Sequence, residues 1–317
     1  MEDNVMKTLH ITNGSVLTHI LEELNITGDV LTWNEMLCEG QTEAHIGTEA
    51  YLSCREQFFK QAYDLEFNTK EFLDDISKLN TPENYNEVVL WFEYDLFCHI
   101  NMFAAISLLK QKQADHLPIY LVCSGHVKGE TGLKGLGELT PDQLKQHFKA
   151  RVKLNKTDLD TANTLWEIYC GKDHNLFVPF IAKTTSFSYL SNCLKAHLQR
   201  FPHMGSGLSS IERNILMLVN KHHIKSKHHL LGYALNYQGY YGYGDMQLER
   251  LINVLAIFFD QGDTALKLNR KGHDALMGQH NFASEINNAM HYGGVNRLDY
   301  QYYSTENKLY KTISHGN

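Results

Sequence analysis

EVVLWFEYDLFCHIN, Glu87 to Asn101, is the stretch that decides the fold. Val88-Val89-Leu90-Trp91-Phe92 is an unbroken apolar run, rich in β-branched and aromatic residues. Such a run predicts a strand buried on both faces, as in a parallel sheet. Glu93 and Asp95 follow directly, and Leu96, Ile100, Phe103 and Ala104 then recur at helical spacing. Charged groups at the carboxyl end of a buried strand stand where open α/β sheets bind ligands, which makes Glu93 and Asp95 the candidate catalytic pair. The competing reading is a charge pair interacting with the macrodipole of the next helix. His99 lies one turn beyond Asp95 and is spaced to pair with it.

Upstream, Lys7–Thr12 reads as a short strand. Asn13-Gly14 is a turn signal and Ser15 a helix cap, followed by a helix with Val16, Leu17, Ile20, Leu21 and Leu24 on its apolar face. Asp29–Trp33 is a second strand, which completes a right-handed βαβ unit. Residues 35–50 read as a loop carrying Glu39-Gly40, and 50–79 as helical. Downstream, Pro118–Ser124 is a further strand. Thr140, Pro141 and Gln143 then open a helix with a capping box. The Gly135-Leu136-Gly137 before it is read as a plain turn rather than a phosphate cradle, because no full glycine fingerprint accompanies it.

The expected class is therefore α/β. A small Rossmann-like parallel domain of three to five strands covers residues 1–150, and a helical connector covers 151–205, with one helical pattern from Thr157 to Gln199. A winged-helix-like domain covers 206–317. Its helices start at the Ser209–Glu212 capping box, at Ser226 and at Asp245, followed by a strand at Leu266–Asn269 and a small helix holding Gly272 and Leu276. Tyr300–Tyr303 and Lys308–Ile313 read as a hairpin.

Composition excludes several classes. The chain has 317 residues, 43% of them hydrophobic, a formal net charge of −7 and a pI of about 6.2. That balance argues against electrostatically driven binding to nucleic acid or an anionic membrane. No apolar stretch is long enough to span a bilayer. The N-terminus has no leader pattern, so a cytoplasmic location is expected. The six cysteines form no C-x-x-C pair and read as free thiols.

The candidate ligand-binding residues come from two strand–loop junctions. His10, Thr12, Asn13, Gly14 and Ser15 surround a helix N-terminus whose free N–H groups suit a phosphate, against the plainer reading of a capped start with His10 packed in the sheet. Asp29, Trp33 and Glu39 flank the second strand and are expected on the same edge. Trp33 would stack on a ring. Several carboxylates in one cleft would split their pKa values or hold a divalent cation, so Mg²⁺ is the candidate cofactor, although no ligand spacing identifies a metal site. The Lys221–His229 tract, rich in lysine and histidine, reads as a solvated turn. The third helix of the winged region carries Asp245 and Glu249 against Arg250 alone, a poor reader of DNA.

LHITNGS (Leu9–Ser15), GDVLTWNEMLCEG (Gly28–Gly40), the opening stretch and GLGELTPDQL (Gly135–Leu144) resemble a bacterial family known as domain of unknown function number 1835. GLSSIERNIL (Gly207–Leu216), GYGDMQLERL (Gly242–Leu251) and HYGGVNRL (His291–Leu298) resemble its companion domain, number 3658. The resemblance implies the fold and the two-part layout, and no reaction. Ser15 stands where the family usually has aspartate, and Cys38 where it has the histidine of His-Glu-Gly. The expected function is binding of a small phosphorylated or nucleotide-like ligand at the carboxyl edge of the sheet. The alternative is a non-enzymatic interaction or nucleic-acid-binding regulator that uses the winged region.

Overall fold

The computed structural model describes residues 7–262 and 264–312. Met1–Met6, read above for a leader, and Ile313, the expected end of the hairpin, lie outside the described residues.

The first half alternates as expected: β1 (Lys7–Asn13), α1 (Ser15–Glu23), β2 (Asp29–Trp33), α2 (Glu49–Tyr63), α3 (Thr69–Ser77), β3 (Tyr85–Phe92), α4 (Leu96–Gln111) and β4 (Ile119–Cys123). A small hairpin, β5 (Gly125–His126) and β6 (Leu133–Lys134), then leads to α5 (Pro141–Lys149) and β7 (Val152–Lys153). The sheet runs β2-β1-β3-β4-β7. Its first four strands are parallel and β7 is antiparallel. Because β2 and β3 leave β1 on opposite sides, the chain changes direction across the sheet at β1. Their carboxyl ends there open the crevice that such a reversal creates.

Alternation along β3 explains the layering. Leu90 and Phe92 face the main core with Leu9, Ile11, Leu31 and α4, while Val89 and Trp91 face α1 and α5 with Leu17, Leu21 and Leu144. Helix α4 buries every residue from Cys98 to Leu109, and a helix apolar all round must be enclosed. It lies between the sheet and two later helices, α6 and α8.

The second half runs α6 (Lys156–Cys170), α7 (Val178–Ile181), α8 (Leu190–Leu198), α9 (Ser210–Lys221), α10 (Lys227–Tyr237), α11 (Asp245–Val254), the hairpin β8 (Phe259–Gln261) and β9 (Leu266–Leu268), α12 (Arg270–Met277) and α13 (Ala283–Ile286). Two hairpins close it, β10 (His291–Tyr292) with β11 (Val295–Asn296), and β12 (Tyr300–Tyr303) with β13 (Lys308–Lys311). No helix among the described residues is long and apolar enough to cross a membrane.

Four local expectations are corrected. Gly14, at φ +92°, is the cap of α1, and Ser15 is its first residue. Likewise Gly244 caps α11, and Asp245 is inside it. The helical stretch 50–79 breaks at Asp64, which adopts a left-handed conformation and ends α2. The pattern 157–199 is three helices, because Gly171 ends α6 and Pro179 restarts the chain in the first turn of α7. The expected boxes at Thr140–Gln143 and Ser209–Glu212 are both formed, and Glu212 also binds buried Arg297 at 2.9 Å.

The first part of the loop expected at 35–50, residues 35–40, is buried. Arg55 of α2 binds Glu35 at 2.9 Å and also donates to the carbonyls of Met36, Glu39 and Gln41. Arg200, after α8, donates to the Cys38 carbonyl. Arg250 of α11 pairs with Glu39 at 2.8 Å. Tyr169 donates to the Leu37 carbonyl at 2.7 Å, and Gly40 bonds to His291 and Gly293.

Arg200 also fixes a chain of rings. It donates to His197 Nδ1, so His197 donates from Nε2 to His174 Nδ1 at 2.9 Å, and His174 donates from Nε2 to the Tyr169 carbonyl at 2.9 Å. Burial holds both rings neutral and lowers the His174 pKa from 6.5 to about 4. A depressed folded pKa leaves stability intact above pH 6.5 and removes it as pH falls toward 4. In urea unfolding, the native chain should therefore lose about 2 kcal/mol relative to His174→Gln between pH 7.5 and pH 5. Parallel pH profiles for the two proteins would refute this.

Candidate functional site

The carboxyl edge at β1 and β3 gathers Thr12, Asn13, Gly14, Ser15, Glu93 and Asp95. Thr12 is fully buried, with its hydroxyl against Thr18 at 2.6 Å, and Thr18 reaches Thr32 at 2.9 Å. It fastens α1 to the sheet and offers nothing to a ligand. Asn13 is held on both sides of its amide: Nδ2 donates to Cys98 Sγ at 3.1 Å and Oδ1 accepts from Asn101 Nδ2 at 2.8 Å. Gly14 has open space where a side chain would stand, and α1 has no side-chain cap and no acidic residue in its first turn. Its first N–H groups, with Ser15 exposed beside them, are thus available to an anion.

Glu93 and Asp95 leave β3 in different directions. Gly137 N–H donates to Glu93 Oε1 at 3.3 Å, so the Gly-Leu-Gly turn cradles this carboxylate. Burial, and then the neighbouring Asp95 charge, push the Glu93 carboxyl up to about 7. Asp95 is buried and caps α4, accepting from Cys98 N–H at 2.8 Å. Burial raises its pKa too. His99 binds the Asp95 backbone carbonyl at 2.8 Å and not its carboxylate. Two adjacent carboxylates, one poised near neutrality, can exchange a proton with a ligand or share a cation.

Four predicted residues offer no side chain to the site, although Trp33 ends β2 beside Asn13 at the same edge. His10 sits inside β1, accepting from Trp91 Nε1 at 3.1 Å and reaching the Thr27 carbonyl at 3.2 Å. It is packed in the sheet. Asp29 begins β2 opposite Leu9, at the amino edge, and binds Lys7 at 3.2 Å. A parallel strand sends its first residue to the edge away from its last. Trp33 is 1% exposed against Phe72 and cannot stack on a ligand. Glu39 is held between Arg250 and Tyr63, within the loop that joins the two halves.

Several residues escaped the sequence reading. Asn101 positions Asn13 and also bonds the Glu35 carbonyl at 2.8 Å and Leu37 N–H at 3.2 Å. Cys98 stands with Glu93 and Asp95, one donor atom from each within 4.8 Å of the others. A cavity of about 320 Å³ lies at the carboxyl end of β2, lined by Thr32, Asn34, Glu35, Phe97 and Met246 among others. The loop before α11 covers α4: Leu96 and Phe97 N–H donate to the carbonyls of Tyr240 and Tyr241 at 2.8 and 3.2 Å. The helix start after β3 is therefore closed to an anion, unlike that after β1. An asparagine facing into a helix was the one readable signal for Asn101; nothing local marks Tyr240.

Gly242 in this loop has φ +67°, and a Cβ there would stand 2.1 Å from Asp95 Cγ. Gly239 has φ +73° with open space around it. Gly239→Ala should cost about 1 kcal/mol from its backbone alone, and Gly242→Ala at least about 2 kcal/mol more, by denaturant unfolding. Equal losses would mean that the loop does not press on Asp95.

No family model and no curated protein matches the chain. Among solved structures it is similar to the DNA-binding, cleavage and re-ligation domain of topoisomerase II from Plasmodium falciparum, at 12% identity and a TM-score of 0.48. The match covers 83% of this chain and 44% of that one, so this chain spans less than half the length of the structure it resembles.

Proposed function

We propose that the protein binds a small phosphorylated or nucleotide-like ligand at the carboxyl edge of its sheet, with Glu93 and Asp95 as the groups that act on it or hold its counter-cation. The observation that carries this reading is the meeting of an uncapped, unobstructed helix start at Gly14 with two uncompensated carboxylates where β1 and β3 part. The cavity beside Thr32 and Phe97 gives a ring system room on the same edge. We also infer a Rossmann-like first half, a winged-helix-like second half and membership of the two-domain family of unknown function resembled above. Motif order supports the membership. The hydrogen bond from Leu266 N–H to the Ile224 carbonyl, 2.7 Å, supports the winged arrangement by adding a third extended segment to β8–β9.

The second reading, a nucleic-acid-binding regulator, is favoured only by that arrangement. Helix α11, which would enter a groove, buries Gln247, Leu248, Leu251 and Ile252, spends Arg250 on Glu39, and exposes Asp245 and Glu249. Such a face repels phosphate.

A thermal-shift panel of nucleotides and sugar phosphates tests the leading reading. At roughly a hundredfold over its dissociation constant, one member should raise the native Tm by about 4 °C or more. Ser15→Glu, which places a carboxylate at the exposed helix start, should abolish the shift. A panel with no response, or a response that survives Ser15→Glu, overturns it.

A further inference from the structure

Among the described residues, three buried carboxylates are each paired with an arginine. Glu35 has Arg55, Glu39 has Arg250, and Glu212 has Arg297. Asp158, the other buried acid outside the site among the described residues, is satisfied by hydrogen bonds from Ser186 and Asn155. Glu93 and Asp95 break the pattern. Among the described residues no lysine, arginine or histidine forms an ion pair with either, although they stand side by side and Asp95 is only 6% exposed. Backbone N–H groups of Cys98 and Gly137 hold the two adjacent carboxylates, and no side-chain cation of the described residues joins them, which leaves a place for a positive charge from outside the chain.

A second observation points to the same place. Ser124 is 2% exposed and its Oγ has no hydrogen-bond partner. Phe92 and Cys123 are register partners, so Glu93 and Ser124, one residue beyond each, stand opposite one another. Trp91 and Val122 face α1 and α5, and alternation sends Glu93 and Ser124 to that same side. A buried hydroxyl without a partner therefore stands at the strand end beside Glu93.

We propose that Glu93, Asp95 and Cys98 bind one divalent cation of the zinc class, with Ser124 completing the donor set. This deepens the reading of the edge as the ligand site, and rests on it for the role of the ion. The thiol selects the metal. A sulfur donor beside two carboxylates suits a borderline ion such as Zn²⁺, whereas Mg²⁺ takes oxygen donors almost alone. The candidate cofactor expected from carboxylates alone is thereby replaced. Ligands about 2.0–2.3 Å from a tetrahedral zinc stand roughly 3.5 Å apart, so donors now within 4.8 Å close by about 1 Å on binding. Asn13 Nδ2, 3.1 Å from Cys98 Sγ, is the outer partner that orients a thiolate ligand. Cys98 binds after losing its proton to solvent, and the half-buried Glu93 marks the way in.

The test uses the full chain, freed of metal with a chelator and titrated with Zn²⁺ by calorimetry and with Co²⁺ by absorption. One equivalent should bind, Co²⁺ should show a thiolate-to-metal band, and roughly a hundredfold excess of Mg²⁺ should not displace Zn²⁺. Cys98→Ser should abolish the band, and Glu93→Gln, a near-isosteric change, should weaken Zn²⁺ by at least about tenfold. Absence of the band in the native chain overturns the proposal. So does Zn²⁺ binding that survives both substitutions and is lost in His222→Ala/His228→Ala, which would place the ion at the Lys221–His229 tract. A nucleotide-induced thermal shift in metal-free protein would leave the ligand reading standing while this one fell.

Discussion

Three arginines, from α2, the turn after α8 and α11, end on one short loop. Arg55, Arg200 and Arg250 converge on residues 35–41; Arg55 and Arg200 satisfy carbonyls that an irregular buried segment would otherwise leave without partners, and Arg250 pairs with the Glu39 carboxylate. An unpaired carbonyl at that depth costs as much as a lost hydrogen bond, so the loop is stable inside only because guanidinium groups, each with several donors, reach it. Glu35 and Glu39 then neutralise two of the three cations. Arg200 has no carboxylate, and its charge is met by the Cys38 carbonyl, the Tyr243 hydroxyl and the face of Tyr292, 3.9 Å away.

That constraint positions the rest. Because α11 is tied to Glu39, the loop before it is delivered onto the start of α4, where Tyr240 and Tyr241 supply the carbonyls and Gly242 packs on Asp95. Asn101 links the same buried loop to Asn13. The edge of the parallel sheet is therefore walled by both halves of the chain, and the apolar core runs without interruption from Leu9 to Leu309.

The electrostatics of that edge follow from the closure. Covering α4 removes water from Asp95, and the Gly-Leu-Gly turn does the same for Glu93, so burial raises both pKa values and the Asp95 charge raises that of Glu93 further. Glu212, which faces Arg297, behaves oppositely and is held below the usual carboxylate range. One chemical group acquires contrary character according to which cation the fold brings to it.

Strand and helix placement was legible in the sequence because it rests on local periodicity. Val88–Phe92 is apolar on both faces and became a central strand, and Thr140 and Ser209 cap their helices through neighbours three residues away. The mostly parallel sheet followed from the same rhythm. Edges were harder to read: Asn13, Glu93 and Asp95 were rightly placed at the carboxyl edge, whereas Asp29 fell on the amino edge because strand direction sends it there. What only the tertiary structure decided was which groups meet across long separations. Trp33 is sealed by Phe72, Glu39 is taken by Arg250, 211 residues away, and Cys98 of α4 meets Glu93 and Asp95. Periodicity reports which way a side chain points from its own element; it carries no information about the partner waiting there, which is set by how distant elements pack.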